Sequence, residues 1–521
     1  MSEARLDPVT LSVLTSALAG IAEEMGALLI HSAYSSNIKE RRDCSAALFD
    51  ADGRMVAQAE HIPVHLGAMP EAVAAVIERE ARERSQRGDV FALNDPYTGG
   101  THLPDITLVS PFAIGGEPGG YAVTRAHHSD VGGMRPGSMP SDSRELYQEG
   151  LVIPPVRLAR AGEYVPDVLE LLLANVRTPH IRRGDLRAQL AANGLAQTRL
   201  EELAGRRGGD TVRAAFDETI AYAERGARAA IAALPDGRFE AGGEIEGDGV
   251  SEDDVPIAVA VEIEGDAMRV DFEGSSPQVP GNVNCPFAVT RSACYFALRV
   301  LLNAEVPTNA GAYSALEIRA PRDSVVNASK PAAVVAGNVE TSQRIADIVL
   351  AALGHATELP AAGQGTMNNV VIGGDGSGGA EGDWTYYETI GGGQGAGPDG
   401  PGPSGVHVGM SNTLNTPIEA LELEYPLRVE RYELRDGSGG EGRHRGGDGV
   451  VRAVRALEPA SLSLLTDRRR HAPRGAAGGG TGRPGENLLN GEPLPPKAGR
   501  ELAAGDVVEL RTPGGGGYGR A

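Results

Sequence analysis

The apolar positions near the start of the chain recur with helical spacing. Asp7 followed by Pro8 is a typical N-cap and first helical position. Apolar residues then follow at intervals of three and four: Leu11, Leu14, Leu18, Ile21, Met25 and Leu28. This periodicity predicts a long amphipathic helix.

Two further segments have the pattern of β-hairpins. Short apolar runs flank Asp52-Gly53, a dipeptide that favours a tight turn between antiparallel strands. Farther along, a helix is predicted over residues 70–86, and the runs ITLVSPFAI and YAVTRAHHSD then stand on either side of GGEPGG. If these strands pair symmetrically about that turn, Asp105 lies near Asp130, with His127 and His128 two or three residues along.

The rest of the chain alternates between helical and extended patterns. Residues 165–233 are helical in pattern, residues 237–320 are mainly extended around a helix at 290–302, and GNVETSQRIADIVLAALG predicts another helix. We therefore expect a mixed α+β, multi-domain fold. Its three parts are a metal-binding domain of helix and hairpins at 1–235, a β/α middle domain at 236–360 and a glycine-rich, β-dominated C-terminal domain at 361–521.

Composition narrows the classes of partner and compartment. The formal net charge of −22 disfavours a nucleic-acid groove or an anionic membrane surface. The three cysteines (Cys44, Cys285 and Cys294) form no CxxC pair, so we expect a reducing cytoplasm and no disulfide framework. The segment MSEARLDPVT lacks the profile of a signal peptide, and no run of about 18 apolar residues predicts a membrane span.

The strongest chemical signal is a set of polar residues on both sides of the second hairpin. In GGTHLPDITLV, Pro104 disfavours a helix, so His102 and Asp105 are expected in a loop that leads into a strand. The returning strand brings a histidine toward Asp105, and the register decides between His127 and His128; we favour His127. Two imidazoles and a carboxylate suit Zn, Mn or Fe, with Asp43 from an earlier strand as a candidate fourth ligand.

Each of these residues also has an ordinary structural interpretation. His102 would then cap a turn, Asp105 would form hydrogen bonds at the end of the hairpin, and His127 would be a buried polar side chain. His128 and Asp130 fit either outer contacts to a metal site or an exposed strand end. The pattern alone does not separate these interpretations.

Other motifs give weaker signals. His61 and His65 are separated by Pro63, which disfavours a helical metal pair. Of the two remaining interpretations, loop packing and a role in lining a site, we favour loop packing. No GxxxxGK[ST] motif is present, so the chain has no P-loop. We expect the glycine-rich segment 391–405 to be a turned loop or lid, and the basic cluster at 468–474 to be a solvated or subunit-interface cluster rather than a ligand site.

Five longer segments carry a resemblance to a known family. They run in family order along nearly the whole chain: ERRDCSAALFDADGRMVAQAEHIPVHLGAM, GDVFALNDPYTGGTHLPDITLV, RAHHSDVGGMRPGSMP, GNVNCPFAVTRSACYF and NTPIEALELEYPLRVERYELRDGSGGEGRHRGGDG. The sequence resembles the hydantoinase B/oxoprolinase family, the metal-bearing subunits of ATP-dependent hydantoinases and lactamases. Subunits of acetone and acetophenone carboxylases are similar too.

The resemblance implies a site, a cofactor and a partner. It implies a divalent metal, zinc before manganese, iron or cobalt, bound through Asp43, His102, Asp105 and His127. It also implies a hetero-oligomer with a hydantoinase A-like subunit that binds ATP, which agrees with the missing P-loop. That partner would activate the carbonyl of a cyclic amide, and metal-bound hydroxide would attack the activated carbon. His128 or Asp130 would move the proton.

Two other functions are compatible with the same residues. The chain could be a subunit of an ATP-dependent ketone carboxylase, in which the metal would stabilise an enolate. It could also be a non-catalytic assembly subunit with a structural metal, but structural sites usually have closed, cysteine-rich ligand sets. We therefore favour a hydrolase that opens hydantoin, 5-oxoproline or a larger lactam.

Overall fold

The computed structural model describes residues 6–59, 62–65, 67–81, 85–377 and 382–521. The N-terminal sheet has seven strands: β1 (Cys44–Asp50), β2 (Met55–Ala59), β3 (Val90–Leu93), β4 (Asp105–Ile114), β5 (Glu117–His127), β6 (Val156–Arg160) and β7 (Glu163–Tyr164). They are antiparallel throughout, in the order β2-β1-β5-β4-β3-β6-β7. The hairpin predicted around Asp52-Gly53 is β1–β2.

Helices pack on this sheet. The helices of the N-terminal part are α1 (Pro8–Ser32), α2 (Ser36–Lys39), α3 (Met69–Glu80), α4 (Leu146–Glu149), α5 (Pro166–Ala174), α6 (Pro179–Arg207) and α7 (Gly209–Ala232). Side chains along β1 alternate between two hydrophobic clusters. Ala46 and Leu48 join the cluster that contains residues of α1, α6 and α7, whereas Ala47 and Phe49 face the larger cluster on the opposite side.

Helix α1 begins as the sequence predicts. The Asp7 side chain accepts hydrogen bonds from the backbone N–H groups of Val9 and Thr10, and Pro8 occupies the first turn. In the described part of the chain, α1 alone is long and apolar enough to span a membrane, with a mean hydropathy of 1.6. Its buried face, which includes Leu18, Met25 and Leu29, packs into the protein core, as in a core helix of a globular protein.

A second, four-stranded sheet follows. Its strands are β8 (Gly237–Glu246), β9 (Asp254–Glu264), β10 (Ala267–Asp271) and β11 (Leu316–Arg319), in the order β11-β10-β9-β8. Helices α8 (Phe287–Leu301) and α9 (Ser342–Leu353) pack in the same core, close to where the sequence predicts them. A π-helical turn, Gly337–Thr341, precedes α9 and carries buried residues toward the candidate site. Such turns often occur at functional sites.

The C-terminal part contains two more sheets. Its elements are β12 (Asn369–Gly374), β13 (Trp384–Glu388), α10 (Ile418–Glu424), β14 (Leu427–Arg435), β15 (Gly449–Ala456), β16 (Ala460–Leu465), β17 (Glu486–Leu489), β18 (Glu492–Leu494), β19 (Lys497–Leu502) and β20 (Val507–Arg511). One sheet has the order β13-β12-β16-β19 and the other β14-β15-β20-β17-β18.

Glycine-rich segments of this part pack backbone against backbone. A Cβ atom on Gly395, Gly447 or Gly515 would lie 1.8–2.0 Å from a carbonyl oxygen of a neighbouring segment, much closer than van der Waals contact. Glycine is therefore required for this close approach. The sequence predicts a loop or lid for the segment 391–405. Its first half, 391–396, is part of this packed interior, whereas residues 397–405 are half-buried or exposed, as in a surface loop.

The α+β class predicted from the sequence is confirmed. The sheets fall one or two to each of the ranges 1–235, 236–360 and 361–521. The largest hydrophobic cluster, however, contains residues of all three ranges, among them Phe49, Val261 and Val371. The three domain limits therefore stay a proposal, and the three parts share one core.

Candidate metal centre

The β4–β5 hairpin sets the position of two polar side chains. Asp105 pairs directly with His127, so the preference for His127 over His128 agrees with the register. Asp130 is not opposite Asp105, as symmetric pairing about GGEPGG predicted, because the turn is formed by Gly115 and Gly116 alone. Both have positive φ values, 63° and 88°, as a two-residue type I′ turn requires, and Glu117–Gly120 belong to β5.

His102 reaches the same place from the loop that precedes β4. As Pro104 predicts, residues 101–104 form a turn and no helix. The backbone N–H of Asp105 donates to the carbonyl of His102 (3.1 Å), and Arg125 ties the loop down through the carbonyl of Gly99 (2.6 Å). The loop is thus fixed to the sheet at both ends.

Three ligand atoms converge at this point. His102 Nε2 lies 3.1 Å from Asp105 Oδ1 and 3.2 Å from His127 Nδ1, and His127 Nδ1 lies 3.2 Å from Asp105 Oδ1. We call these residues the donor triangle. Donors about 2.1 Å from a zinc ion are about 3.4 Å apart in a tetrahedral site and about 3.0 Å apart in an octahedral one. The spacing and chemistry of the triangle therefore fit a divalent metal.

Burial and mutual contacts set the protonation of the triangle. Burial alone would raise the pKa of the Asp105 carboxyl, but the charge of His102 and hydrogen bonds from the surrounding histidines lower that pKa well below its usual value. Burial lowers the pKa of His127. An ionised carboxylate and a neutral imidazole are the forms that bind metals.

Asp43 and His65 border the triangle. The carbonyl of Asp43 accepts a hydrogen bond from the backbone N–H of His127 (3.0 Å). The Asp43 side chain lines a small cavity beside the triangle, and its Oδ2 lies 3.9 Å from Arg41 Nη2. His65 Nε2 lies 3.4 Å from Asp105 Oδ2, and His65 Nδ1 is 2.8 Å from the Ser45 hydroxyl. The interpretation of His65 as a loop-packing residue is therefore wrong.

His65 belongs to the 3₁₀ turn Pro63–His65, which directs it to the site. In the sequence, the only sign of this role is that His65 follows shortly after the first hairpin. His61, which the sequence pattern groups with His65, lies outside the described residues.

The structure does not bring His128 and Asp130 to the triangle. His128 follows His127 and points the opposite way, as strand alternation requires, and its Nε2 is 3.0 Å from Gln189 Oε1. Burial and the charge of Arg182 lower its pKa to about 4. Asp130 accepts hydrogen bonds from the backbone N–H groups of Gly132 and Gly137 and from Arg177, as a residue that fixes a loop would.

An aromatic residue from the C-terminal part completes the site. The ring of Tyr387, on β13, stacks on that of His127, with centroids 4.4 Å apart and planes inclined by 17°. The Arg41 guanidinium lies 4.7 Å from the centroid of Tyr387 and donates to its carbonyl. The Tyr387 hydroxyl donates to Asn369, whose amide in turn donates to Glu340. No motif in the sequence points to Tyr387, because its contact with His127 joins two distant parts of the chain.

The cavity beside the triangle is small. Its volume is about 20 Å³, enough for an ion or a water molecule. Besides the polar residues already described, its walls include Ile62, Val64, Asn338, Val339, Met367, Thr389, Met410, Ser411 and Thr413. The centre is therefore tightly lined, by apolar side chains together with side chains that carry hydroxyl groups.

Comparison with known proteins shows which family the chain is related to. The family model for hydantoinase B/oxoprolinase matches residues 7–521. The chain belongs to this family. A protein of Methanocaldococcus jannaschii is 42% identical to this hydantoinase B/oxoprolinase chain, and the match covers 99% of this chain and 91% of that protein. A protein of a Pseudomonas species, named as the B-type subunit of a D-/L-hydantoinase, is 34% identical, over 99% of this chain and 90% of that one.

In longer relatives, the chain matches only a part of the protein. It is 39% identical to 5-oxoprolinase 1 of Arabidopsis thaliana and spans 42% of that protein. Among solved structures, the ATP-dependent caprolactamase of Pseudomonas jessenii superposes with a TM-score of 0.90 at 31% identity, over 99% of this chain and 91% of that one. An acetone carboxylase superposes with a TM-score of 0.88 at 20% identity, over 98% and 76%, a likeness of fold alone. The family predicted from the sequence is confirmed.

Proposed function

We propose that the chain is the metal-dependent subunit of an ATP-dependent cyclic-amide hydrolase. The observation that carries the proposal is the donor triangle, which lies in a chain that is similar over 99% of its length to an ATP-dependent caprolactamase. The likeness to a carboxylase rests on fold alone, at 20% identity, so the hydrolase is the better-supported function.

The metal would be held by His102, Asp105 and His127, with Asp43 as the fourth ligand. A divalent ion there, zinc before manganese, iron or cobalt, would supply Lewis-acid chemistry toward a water molecule or a carbonyl oxygen. The mixed histidine and carboxylate donors favour a catalytic site over a structural one, since structural sites usually have closed, cysteine-rich ligand sets.

The chain's own residues would orient the reactants and move the proton. Asp105 presents Oδ1 to the two histidines of the triangle, while its Oδ2 accepts a hydrogen bond from Thr101 and faces His65. His65 lines the cavity without belonging to the triangle, and Ser45 holds its other ring nitrogen. We therefore assign proton transfer to His65 in place of His128 and Asp130, which do not line the cavity.

Substrate entry would require movement of the cavity walls. A cyclic amide does not fit in about 20 Å³, so some of the side chains that line the cavity must be displaced when it enters. Met367 and Met410 are suited to this, because methionine side chains are flexible and tolerate repacking.

A second subunit would supply ATP. The chain has no P-loop, and the Pseudomonas relative, named as one subunit of a hydantoinase, implies a complementary subunit. A hydantoinase A-like partner would use ATP to activate the carbonyl of hydantoin, 5-oxoproline or a lactam, and a cytoplasmic hetero-oligomer would result.

The experiment is an assay of the complex co-expressed with its ATP-binding partner. Hydantoin, 5-oxoproline and caprolactam are supplied with and without ATP, and ketones with bicarbonate test the carboxylase alternative. We expect ring opening only with ATP, abolished by His102→Ala and retained by His180→Ala, which changes an exposed histidine at the start of α6. Full activity of His102→Ala, or turnover of ketones alone, would overturn the proposal.

A further inference from the structure

A second cavity, much larger than the metal cavity, has no role in the reaction proposed above. Its volume is about 720 Å³, within the range of small-molecule sites. It lies between α8, α9, the end of β8 and the segment 468–477, and it shares no lining residue with the metal cavity. The basic cluster at 468–474 contributes Arg468, His471 and Arg474 to its wall.

The floor of this cavity contains two buried arginines. Arg344 and Arg468 are 2% and 6% exposed and both line it. Both are paired with carboxylates: Asp347 Oδ2 lies 2.6 Å from Arg468 Nη2 and 3.6 Å from Arg344 Nη1, and Arg344 Nη2 also donates to Asp467 (2.8 Å). Within the described residues, the Nε–H of each arginine has no acceptor. Because a buried donor without a partner is costly, these two arginines are suited to receive an anion.

The backbone at this wall is strained. Arg468 and Ala477 have φ values of 60° and 51°, in the left-handed region that residues with a Cβ seldom occupy. Such strain is concentrated at binding and catalytic sites, where the surrounding structure enforces it. It therefore supports a ligand site at segment 468–477.

The rim of the cavity carries a carboxylate. Glu358 is exposed, and in the described part of the chain it makes no ion pair; its carboxylate contacts the Tyr518 hydroxyl. Phe296, Val300 and Leu359 add apolar surface to the lining. The cavity thus combines cationic donors at its floor, apolar walls and a carboxylate at its rim.

We propose that this cavity binds an amino carboxylate, a molecule with a carboxylate and an ammonium group joined by a short apolar chain. The carboxylate would accept hydrogen bonds from Arg468 and Arg344, and the ammonium group would lie near Glu358. Hydrolysis of a lactam yields a compound of this class, so the cavity would hold a ring-opened product. This identification as product rests on the proposed function, whereas the recognition of the two charges does not.

A ligand series on the full-length protein tests the charge requirement without any substitution. Isothermal titration would compare 6-aminohexanoate with hexanoate and with hexylamine, which have the same chain and a single charged group each. We expect 6-aminohexanoate to bind about tenfold more tightly than either. Equal affinities, or no binding of any of the three, would overturn the inference.

Variants test which residues bind the carboxylate and the ammonium group of the ligand. Glu358→Gln should weaken 6-aminohexanoate binding about tenfold and leave hexanoate binding unchanged, whereas Arg468→Lys should weaken both. Arg470→Gln is the matched control, since Arg470 belongs to the same segment but pairs with Asp254 outside the cavity. If Arg468→Lys does not fold, the Glu358→Gln result and the ligand series still test whether the cavity recognises both charges.

The outcome is independent of catalysis. His102→Ala should bind 6-aminohexanoate as the wild type does, because His102 lines the other cavity. Loss of binding in His102→Ala would place the ligand at the metal centre and overturn the inference. If the complex opens lactams with ATP but the chain does not bind amino carboxylates, this inference fails and the proposed function stands. If the chain binds 6-aminohexanoate but the complex opens no lactam, the proposed function fails and the recognition of the two charges stands.

Discussion

The rings of Tyr387 and His127 are stacked, with centroids 4.4 Å apart, and this contact ties the C-terminal part of the chain to the donor triangle. His127 Nδ1 faces Asp105, so its ring must be held at a fixed angle for that nitrogen to point into the triangle. Tyr387 supplies one face of that support, and Asn369 fixes the tyrosine through its hydroxyl. Tyr387 is thus a positioning residue.

Removing the Tyr387 ring should weaken metal binding. We expect Tyr387→Ala to lower zinc affinity by about 10- to 100-fold, the effect typical of residues that orient a ligand. Tyr387→Phe keeps the stacked ring and loses only the hydrogen bond to Asn369, so its affinity should stay close to that of the wild type. Competition with a chelator of known affinity measures both. Equal losses in the two variants would assign the effect to the hydroxyl and not to the stack.

His65 should be required for turnover and not for metal binding. With the partner subunit present, His65→Ala should lower kcat about 100-fold or more, because a group that moves a proton contributes that much. Its metal content should match that of the wild type, since His65 is outside the triangle. His128→Ala is the comparison, and a larger loss of kcat there than in His65→Ala would return the proton-transfer role to His128.

Glu340 should make stability depend on pH. Burial, together with the negative charge of Asp467, raises the pKa of its carboxyl from 4.5 to about 7. The folded protein therefore binds this proton more tightly than the unfolded chain. The wild type should lose up to about 1.4 kcal/mol of unfolding free energy per pH unit from this group as the pH rises from 4.5 toward 7.

Glu340→Gln removes this titration. Relative to the wild type, the variant should gain unfolding free energy between about pH 5 and pH 8. Urea denaturation at the two pH values measures the difference. A difference between variant and wild type that stays constant with pH would show that Glu340 has an ordinary pKa.

The glycine-rich interior should not tolerate a methyl group where two backbones touch. A Cβ on Gly447 would lie 1.8 Å from the carbonyl oxygen of Pro403, whereas a Cβ on Gly400 would have no atom within 4 Å. We expect Gly447→Ala to cost about 3 kcal/mol or more of unfolding free energy, and Gly400→Ala to cost less than about 1 kcal/mol. Thermal unfolding of the two variants compares them, and similar melting temperatures would mean that the segments can separate at little cost.

The sequence is most informative where structure is local. The helical spacing and the Asp7 cap predict α1, and Asp52-Gly53 predicts the first hairpin. Pro104 keeps His102 and Asp105 off a helix, as the structure has them. The register of the second hairpin is harder to predict, because GGEPGG contains two glycine pairs and only the backbone angles of Gly115 and Gly116 decide which forms the turn.

The rest of the site depends on contacts that no local pattern encodes. Tyr387 and Glu340 come from segments more than 200 residues away from His127. Only tertiary packing stacks Tyr387 on His127 and links Glu340 to Tyr387 through Asn369. For the basic cluster at 468–474, the local pattern leads to a wrong prediction. Its charge density predicts a solvated or subunit-interface cluster, but Arg468 is buried beside Asp347 within the chain.

The metal content of the purified chain tests the central claim most directly. After loading with zinc and removal of excess ion, elemental analysis should find stoichiometric zinc in the wild type and in His180→Ala. It should find almost none in His102→Ala or Asp105→Asn, because each removes one corner of the donor triangle. Zinc-free wild-type protein, or full zinc occupancy in either triangle variant, would contradict a metal centre at His102, Asp105 and His127.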